Sequence, residues 1–558
     1  MSQAQLTMLV LGGYGVFGGR LARLLSDCSG LEIIIAGRDL RRAQAFCQHY
    51  RGSAQVRPLA LDRAAIKTGL AEQRPHLVVD ASGPFQNYGS DPYGVIEACI
   101  AAGINYLDFA DSADFVFGVS RFDPEALNAN IFVLSGVSSF PVLTAAVLRQ
   151  MAKTMDIVRV EGGIAPSPYA GIGLNVMRAV VGYAGTPVKL RRGGKAGHGI
   201  GLAESMRYTI APPGRLPLRN IRFSLVDVPD LQVIPPQHPK MTDIWMGAGP
   251  VPESLHRILN LLAQARAYFK LPSLVPLSRL FYWVLNQMRF GEHRGGMFIH
   301  AQGQIADKSV VQSWHLLAEQ DDGPLIPSMA IEAIVRKQLV GDAPHAGARS
   351  GVGELELADY EMMFRSRAIF TGFRDELSSQ SLYQNLLGSA FAALPAPVQQ
   401  LHGSSKRRQW SGIAQVRRGS GLLANAVAAS IGFPSAAVQV PVTVTFTPQG
   451  ESEHWVRQFG DKRFSSVQRM GRGRDQHLLV ERFGIVSVSV ALVVDGDRLF
   501  FVPRRWTMLG IPMPSSLLPR GQTFETDRSG MFSFEVEIAT PLTGVIVAYS
   551  GTMAPKDI

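Results

Sequence analysis

"TMLVLGGYGVFGGRLARLL", Thr7 to Leu25, sets a short strand-forming run against a cluster of glycines, and an amphipathic helical pattern follows. Gly13-x-Gly15-x-x-Gly18 comes directly after the strand and opens the helix. That is the context in which a glycine triplet holds a dinucleotide. Gly13 permits a tight turn, Gly15 leaves no side chain in the path of a pyrophosphate, and Gly18 lets helix and strand approach closely. With Val16 and Phe17 these residues form the helix N-terminus, whose unpaired N–H groups and partial positive charge hold phosphate. The competing reading is a glycine turn of purely structural use.

The next strand ends "IIIAGRDL", Ile33 to Leu40. About 20 residues past the glycines, an NAD enzyme places an acid on the ribose 2′-hydroxyl. Here Arg38 fills that region, with Arg41 and Arg42 on the following turn. A guanidinium suits a 2′-phosphate through charge-assisted bidentate bonds. The expected cofactor is therefore NADP, with NAD the alternative. Asp39 reads as a helix N-cap or as a ribose contact. "VVDASGPFQNYG" (78–89) closes a later strand, and Ser82, Gly83 and Pro84 fall beyond its carboxyl end, where the nicotinamide ribose is expected. "GINYLDFADSADF" (103–115) brings Asp108 and Asp111 to the end of the next strand. One of these carboxylates is expected on a ribose, an amide or a substrate amine, and a capping role is equally open for Asp111.

Working outward, residues 1–155 alternate short apolar runs with helical patterns, which predicts a Rossmann-type doubly wound parallel sheet. Residues 156–375 mix glycine- and proline-rich stretches with strands and helices, an α+β segment expected to form a substrate or dimerisation domain. "GGMFIHAQG" (295–303) and "VVQSWHLLAEQ" (310–320) read as an antiparallel pair, and 327–341 as a helix. The composition shifts near 372–380. Residues 380–558 predict a β-rich accessory domain: helices near 381–394 and 416–431, then mostly strand, with an Asp495-Gly496 hairpin signal.

The last third is basic, with 18 Lys/Arg against 12 Asp/Glu in 380–558, while 1–155 is balanced at 13 of each. No zinc finger, aromatic RNA-binding motif or basic-region helix accompanies the charge, so nucleic acid is not an expected partner. No run approaches the roughly 18 apolar residues of a membrane span. "LFYWVL" (280–285) is closed by Arg279 and Arg289, so no integral segment is expected, while the charge and apolar strands of the last third leave peripheral lipid contact open. Three cysteines without metal spacing, and no basic leader before Arg20, predict a cytoplasmic protein and no metal site.

Together, "GGYGVFG", "IIIAGRDLRRA", "VVDASGPFQNYG", "VIEACIAAGINYLDFADSADFV" and "GVSSFPVL" resemble the saccharopine dehydrogenase/reductase-like family across residues 7–143. "SWHLLAEQDDGPLIPSMAIEAIVRKQL" (313–339) extends the likeness more loosely to about residue 372. The resemblance implies an NADP-linked oxidoreductase acting on a small molecule. Its substrate is an amino-acid-derived imine or an enoyl or lipid-like compound, and a homodimer is open. "LYQNLLGSAFAALPAPVQQLHG", "HWVRQFG", "LVERFG" and "RRWTMLGIPMP" resemble a domain of unknown function that follows such domains in bacterial proteins. The proton donor that reduction requires is not fixed by any motif. His198, His293, His300, His315, Asp108 and Tyr169 are candidates, joined by Glu481, His454 and His477 if the last third contributes. The alternative function is a non-catalytic NADP-binding sensor or scaffold whose last domain binds a lipid or a protein. The strand "IVSVSVALVV" (485–494) bears small residues that either line a ligand cavity or pack under a helix.

Overall fold

The computed structural model describes residues 6–89, 91–171, 173–250, 252–287, 291–306, 308–375 and 380–556. Of the expected junction near 372–380, residues 376–379 lie outside the described residues.

The opening run forms β1 (Leu6–Leu11), followed by α1 (Val16–Leu24), β2 (Leu31–Gly37), α2 (Leu40–His49), β3 (Gln55–Ala60), α3 (Ile66–Gln73), β4 (Leu77–Asp80), α4 (Gly94–Ala102), β5 (Asn105–Asp108) and β6 (Phe132–Ser135). The strands order as β6-β5-β4-β1-β2-β3, all parallel, with a seventh strand, Gly347–Ser350, added beyond β6. β1, β2 and β4 are buried on both faces, as their near-continuous apolar sequences require. The strand order reverses between β2 and β4, on either side of β1, which is the switch point where ligands of such sheets sit. Register places Leu11 beside Ala36 and Asp80, and Asp80 beside Asp108. The strand-end residues therefore form one row.

A mixed sheet follows. Its strand Asp156–Ala165 pairs parallel with Asp243–Ala248 and antiparallel with Gly295–Ile305. The expected antiparallel pair forms strands Gly295–Ile305 and Lys308–Ala318, and the expected helix spans Ile326–Leu339.

The last segment is a closed antiparallel barrel. Ten strands run in the order Val486–Asp495, Leu479–Phe483, Lys462–Met470, Ser452–Phe459, Ala437–Gln449, Arg408–Arg418, Gly544–Lys556, Met531–Thr540, Thr523–Arg528 and Arg498–Met508, and the last pairs back onto the first. Closure removes the exposed edges that a sheet this long would otherwise present. The helix expected from residue 416 begins only at Leu422. Trp410, Ala414 and Val416 are buried at even spacing, so Arg408–Arg418 is a strand, and Gly419–Gly421 separates it from the helix. Tyr383, Leu387, Val398 and Leu401, from helices Leu382–Leu387 and Ala396–His402, share one core with Trp410, Phe446 and Trp455. Val490 and Leu492 join that core, and on the other face of the strand "IVSVSVALVV" Ser489 and Ala491 are buried as well.

The chain divides into two compact units. Met1–Met206, Arg222–Val311 and Leu317–Ile369 form one, and Arg207–Ile221, Gln312–Leu316 and Phe370–Ile558 form the other.

Candidate functional site

At the end of β1 the N–H groups of Gly12 and Gly13 both donate to the Ala36 carbonyl, at 2.9 and 3.0 Å, tying the turn to β2. Gly12 holds φ at +74°, a left-handed conformation suited to glycine. The turn's conformational demand thus falls on Gly12, ahead of the triplet. A Cβ on Gly18 would stand 2.6 Å from the Gly12 carbonyl oxygen and 2.8 Å from Gly13 Cα. Gly18 is therefore what allows α1 to pack against the turn. A Cβ on Gly15 would press on the same carbonyl from 2.9 Å. Gly15 and Val16 are exposed, Phe17 stacks on Phe109 with centroids 5.6 Å apart, and no side chain caps α1. The result is a bare, tightly wound turn at an open helix N-terminus, which fits a pyrophosphate.

At the end of β2, Arg38 and Arg41 are exposed and make no side-chain hydrogen bond or ion pair among the described residues. Asp39 caps α2 by accepting from the Arg42 N–H at 3.3 Å. Its own N–H donates to Tyr14 Oη at 3.1 Å. The Tyr14 ring lies against Gly37, where a Cβ would collide with it, and Arg42 covers that ring at 4.9 Å. Two cations therefore remain available beside an aromatic platform.

At the end of β4, Asp80 is fully buried and raised above the usual carboxylate range by burial. Its Oδ1 accepts from the N–H and hydroxyl of Ser82, at 2.9 and 2.6 Å. Ser82 also meets Tyr88 Oη at 3.1 Å, and Arg63 lies 3.6 Å over the Tyr88 ring. The Gly83 carbonyl accepts from Asn175 Nδ2 at 2.7 Å, and Gly83–Pro84 is a cis peptide. Asn175 belongs to helix Leu174–Tyr183, and Gly173 before it lies against Val16. That helix start spans from the glycine turn to the Ser82–Pro84 loop, across the switch point.

Asp108 is fully buried, below the site's surface. Its Oδ1 accepts from the N–H groups of Ala110 and Gly136, at 2.9 and 2.7 Å, and its Oδ2 has no hydrogen-bond partner. Burial outweighs those bonds and pushes it up to about 7. It ties the end of β5 to the loop that carries Ser138 and Ser139. Asp111 accepts from Gln86 Nε2 at 3.1 Å and is raised by burial. Nearby, Asp227 is pushed up to about 6, first by burial and then by Asp114 and Asp111. Asp114 itself is held low by Lys189, 2.8 Å away. Asp227 and Asn175 come from separate stretches that no motif marks, and Gln86 lies within "VVDASGPFQNYG" but is not singled out there. The only sequence signal for Asp227 is an acid set among apolar residues in "LVDVP" (225–229).

Of the proton-donor candidates, Tyr169 and His293 come together as a ring stack at 3.5 Å, with His293 Nδ1 3.5 Å from Asp321. His198 is exposed on the two-stranded hairpin Pro187–Ile200. His300 stands opposite Glu161 in the mixed sheet. His315 is buried and saturated: Nδ1 accepts from the Ala211 N–H at 3.1 Å and Nε2 meets Ser313 Oγ at 2.9 Å. Glu481, in the barrel, is held by Arg457 at 2.9 Å and Ser466 at 2.6 Å. Among the described residues no group of His, Cys, Asp and Glu is arranged to hold a metal.

No curated protein matches the chain. Among solved structures, an amine dehydrogenase from Mycobacterium smegmatis matches with a TM-score of 0.33 and 11% identity, over 64% of this chain and 95% of that one. A dehydrogenase from Clostridium difficile gives 0.30 and 7%, over 65% and 97%. The WlbA dehydrogenase from Thermus thermophilus, in complex with NAD and alpha-ketoglutarate, gives 0.28 and 11%, over 61% and 90%. Residues 394–553, within the barrel segment, match a domain of unknown function (DUF4166). Residues 8–133, from β1 into β6, match the saccharopine dehydrogenase NADP binding domain.

Proposed function

We propose that the chain is an NADP-dependent oxidoreductase that reduces, or forms by oxidation, a small imine-type compound. The observation that carries this is the pairing of a bare glycine turn with two unpartnered arginines at the adjacent strand end. Gly13, Gly15, Val16, Phe17 and Gly18 receive the pyrophosphate, and Arg38, aided by Arg41, receives the 2′-phosphate. Ser82, Gly83 and Pro84 line the nicotinamide ribose. Asp108 acts from beneath, fixing the Gly136 loop that faces the nicotinamide end. Bound there, NADPH supplies hydride to an electrophilic carbon. The protein supplies position and charge: Asp111 and Asp227 set a negative field that suits a protonated imine over an uncharged enoyl group. Asp227, raised to about 6, retains a proton into mildly acidic solution and can return it to a substrate nitrogen.

We assign 1–155 to cofactor binding, 156–375 to substrate binding and 380–558 to an accessory role. Cysteines 28, 47 and 99 are unpaired, which suits a reducing cytoplasm. Calorimetric titration of the full chain with NADPH and NADH tests the reading. Tighter binding of NADPH, with the preference lost in Arg38→Ala, supports it. Equal affinities, or an unchanged preference in the variant, overturn the assignment of Arg38.

A further inference from the structure

Helix Glu253–Phe269 and helix Ser278–Gln287 form a hairpin that is apolar on two sides. Inward, Leu259, Leu262, Ala263, Leu274, Phe281 and Leu285 pack with Met177 and Val181 of helix Leu174–Tyr183. Outward, a second set of large apolar side chains has nothing over it. Tyr268 is 82% exposed, Phe269 68%, Leu261 65% and Trp283 60%, with Leu280 and Leu277 beside them. A solvated helix carries polar residues on the face away from its core. Apolar residues scattered singly need no account, but six large exposed ones on two successive helices and the turn between them, with Tyr268 and Phe269 in ring contact, mark an interaction surface.

The charges on the hairpin say what covers it. Between Ser254 and Gln287 there are four Lys/Arg and no Asp or Glu. Arg266 is engaged with the Gly182 and Ala184 carbonyls, at 3.1 and 2.6 Å, and Arg257 with Glu253. Lys270 and Arg279 remain, exposed and without a hydrogen bond or ion pair, flanking the apolar tip. A second copy of the chain would bring the same cations against each other, and the hairpin's one acid, Glu253, is already paired with Arg257. A bilayer containing anionic lipid answers both features. It accepts Tyr and Trp at the headgroup level, buries Leu and Phe, and attracts Lys and Arg. Among the described residues no helix is long and apolar enough to cross a membrane, and contact with the surface requires none.

We infer that the hairpin Glu253–Gln287 docks this protein onto anionic membrane surfaces. The probe is co-sedimentation of the full chain with vesicles of phosphatidylglycerol and phosphatidylcholine, and with vesicles of phosphatidylcholine alone. The expected result is binding to the first, weakened by high salt and much reduced on the second. The triple substitution Tyr268→Ser, Phe269→Ser, Trp283→Ser and the charge reversal Lys270→Glu, Arg279→Glu should each lower the vesicle partition coefficient by at least about tenfold. Both alter only exposed side chains, and circular dichroism verifies that each variant is folded. Failure of the folded wild-type chain to bind either vesicle overturns the inference. So does binding that neither variant weakens, which would place the contact elsewhere. Sedimentation showing a dimer that the triple substitution dissociates would assign the face to a second copy and overturn it equally.

Discussion

In the N-terminal parallel sheet the groups just beyond β1 and β2 are left open. Gly15 and Val16 face solvent at a helix start without a cap, and Arg38 and Arg41 have no partner. Inside the barrel, buried charged groups of the same kinds are answered locally. Arg408 meets Glu453 at 2.7 Å, Arg457 meets Glu481 at 2.9 Å, and His402 meets Glu525 at 2.5 Å. Trp455 adds a bond to Glu453 at 2.7 Å, and Tyr383 one to Gln468 at 2.9 Å. Both regions hold arginines, carboxylates and aromatic rings. What separates a candidate site from a core is whether those groups are spent on one another. A mutation in the barrel should therefore read out as lost stability, and one at the sheet's edge as lost ligand.

The largest stability effect tests the barrel side of the contrast. Glu481→Ala leaves the mostly buried Arg457 without its carboxylate and, among the described residues, with only the Ser466 hydroxyl to donate to, and breaking such a pair costs about 3–5 kcal/mol. The thermal midpoint of the full chain should fall steeply while NADPH affinity in the folded protein stays unchanged. Glu481→Gln, which keeps an acceptor for Ser466, should cost less. A Glu481→Ala chain of normal stability that has lost turnover would reverse the assignment and make Glu481 a proton-transfer group.

Gly18→Val tests the open side. Its Cβ would enter the space of the Gly12 carbonyl, a backbone atom that cannot swing away. Overpacking of this sort costs about 1–3 kcal/mol. Distortion of the turn should weaken NADPH more than about 100-fold, equivalent to ~2.7 kcal/mol. Titration of the folded variant checks this, and near-normal affinity would separate the glycine turn from the cofactor.

These two sites also differ in how they could be read from sequence. The glycine triplet, β1, β2 and the arginines are contiguous, so local pattern sufficed. Asp39 could be recognised as a cap because capping is a local bond. Gly12 was not marked, since its positive φ follows from the tie to Ala36 on another strand. The strand Gly347–Ser350 joins the sheet from more than 200 residues beyond β6, and four residues carry no periodicity. Asp108 was placed at the correct strand end, but which way its carboxyl turns depends on Gly136 and Ala110. Asp227 acquires its character from burial first and then from Asp114 and Asp111, which reach it through the fold. In the barrel, alternation revealed most strands. Closure between Val486–Asp495 and Arg498–Met508 follows from the hairpin at Asp495-Gly496, yet that it completes a ring is a property of all ten strands together.

Arg38→Ala narrows the comparison to one unspent cation. Loss of charge-assisted bonds to a 2′-phosphate costs about 1.5–3 kcal/mol, so NADPH affinity should fall about 10- to 100-fold. NADH, which lacks that phosphate, should bind as before. A parallel fall for both cofactors would mean that Arg38 holds the turn rather than the phosphate.

The smallest effect concerns Asp227, whose environment lies between the two extremes. It is partly buried like the barrel carboxylates, but the cations near it are spent: Lys189 pairs with Asp114. Burial and the neighbouring carboxylates Asp114 and Asp111 favour its protonated form, which puts it at about 6. A group that donates a proton is competent below that value and loses competence above it. The kcat/KM for NADPH-dependent imine reduction should therefore be flat at acid pH and fall as pH rises through about 6. At pH 7 it should stand roughly tenfold below the acid plateau. Asp227→Asn cannot donate, so its rate should match the low alkaline limb and lose the break near 6. Asp114→Asn, which removes a like charge without touching the donor, should move the break downward, because one of the two repelling carboxylates is gone. If the wild-type profile is flat between pH 5 and 8, or if Asp227→Asn keeps the break, the proton comes from another group. The Tyr169–His293 stack, with His293 exposed beside Asp321, is then the next place to substitute.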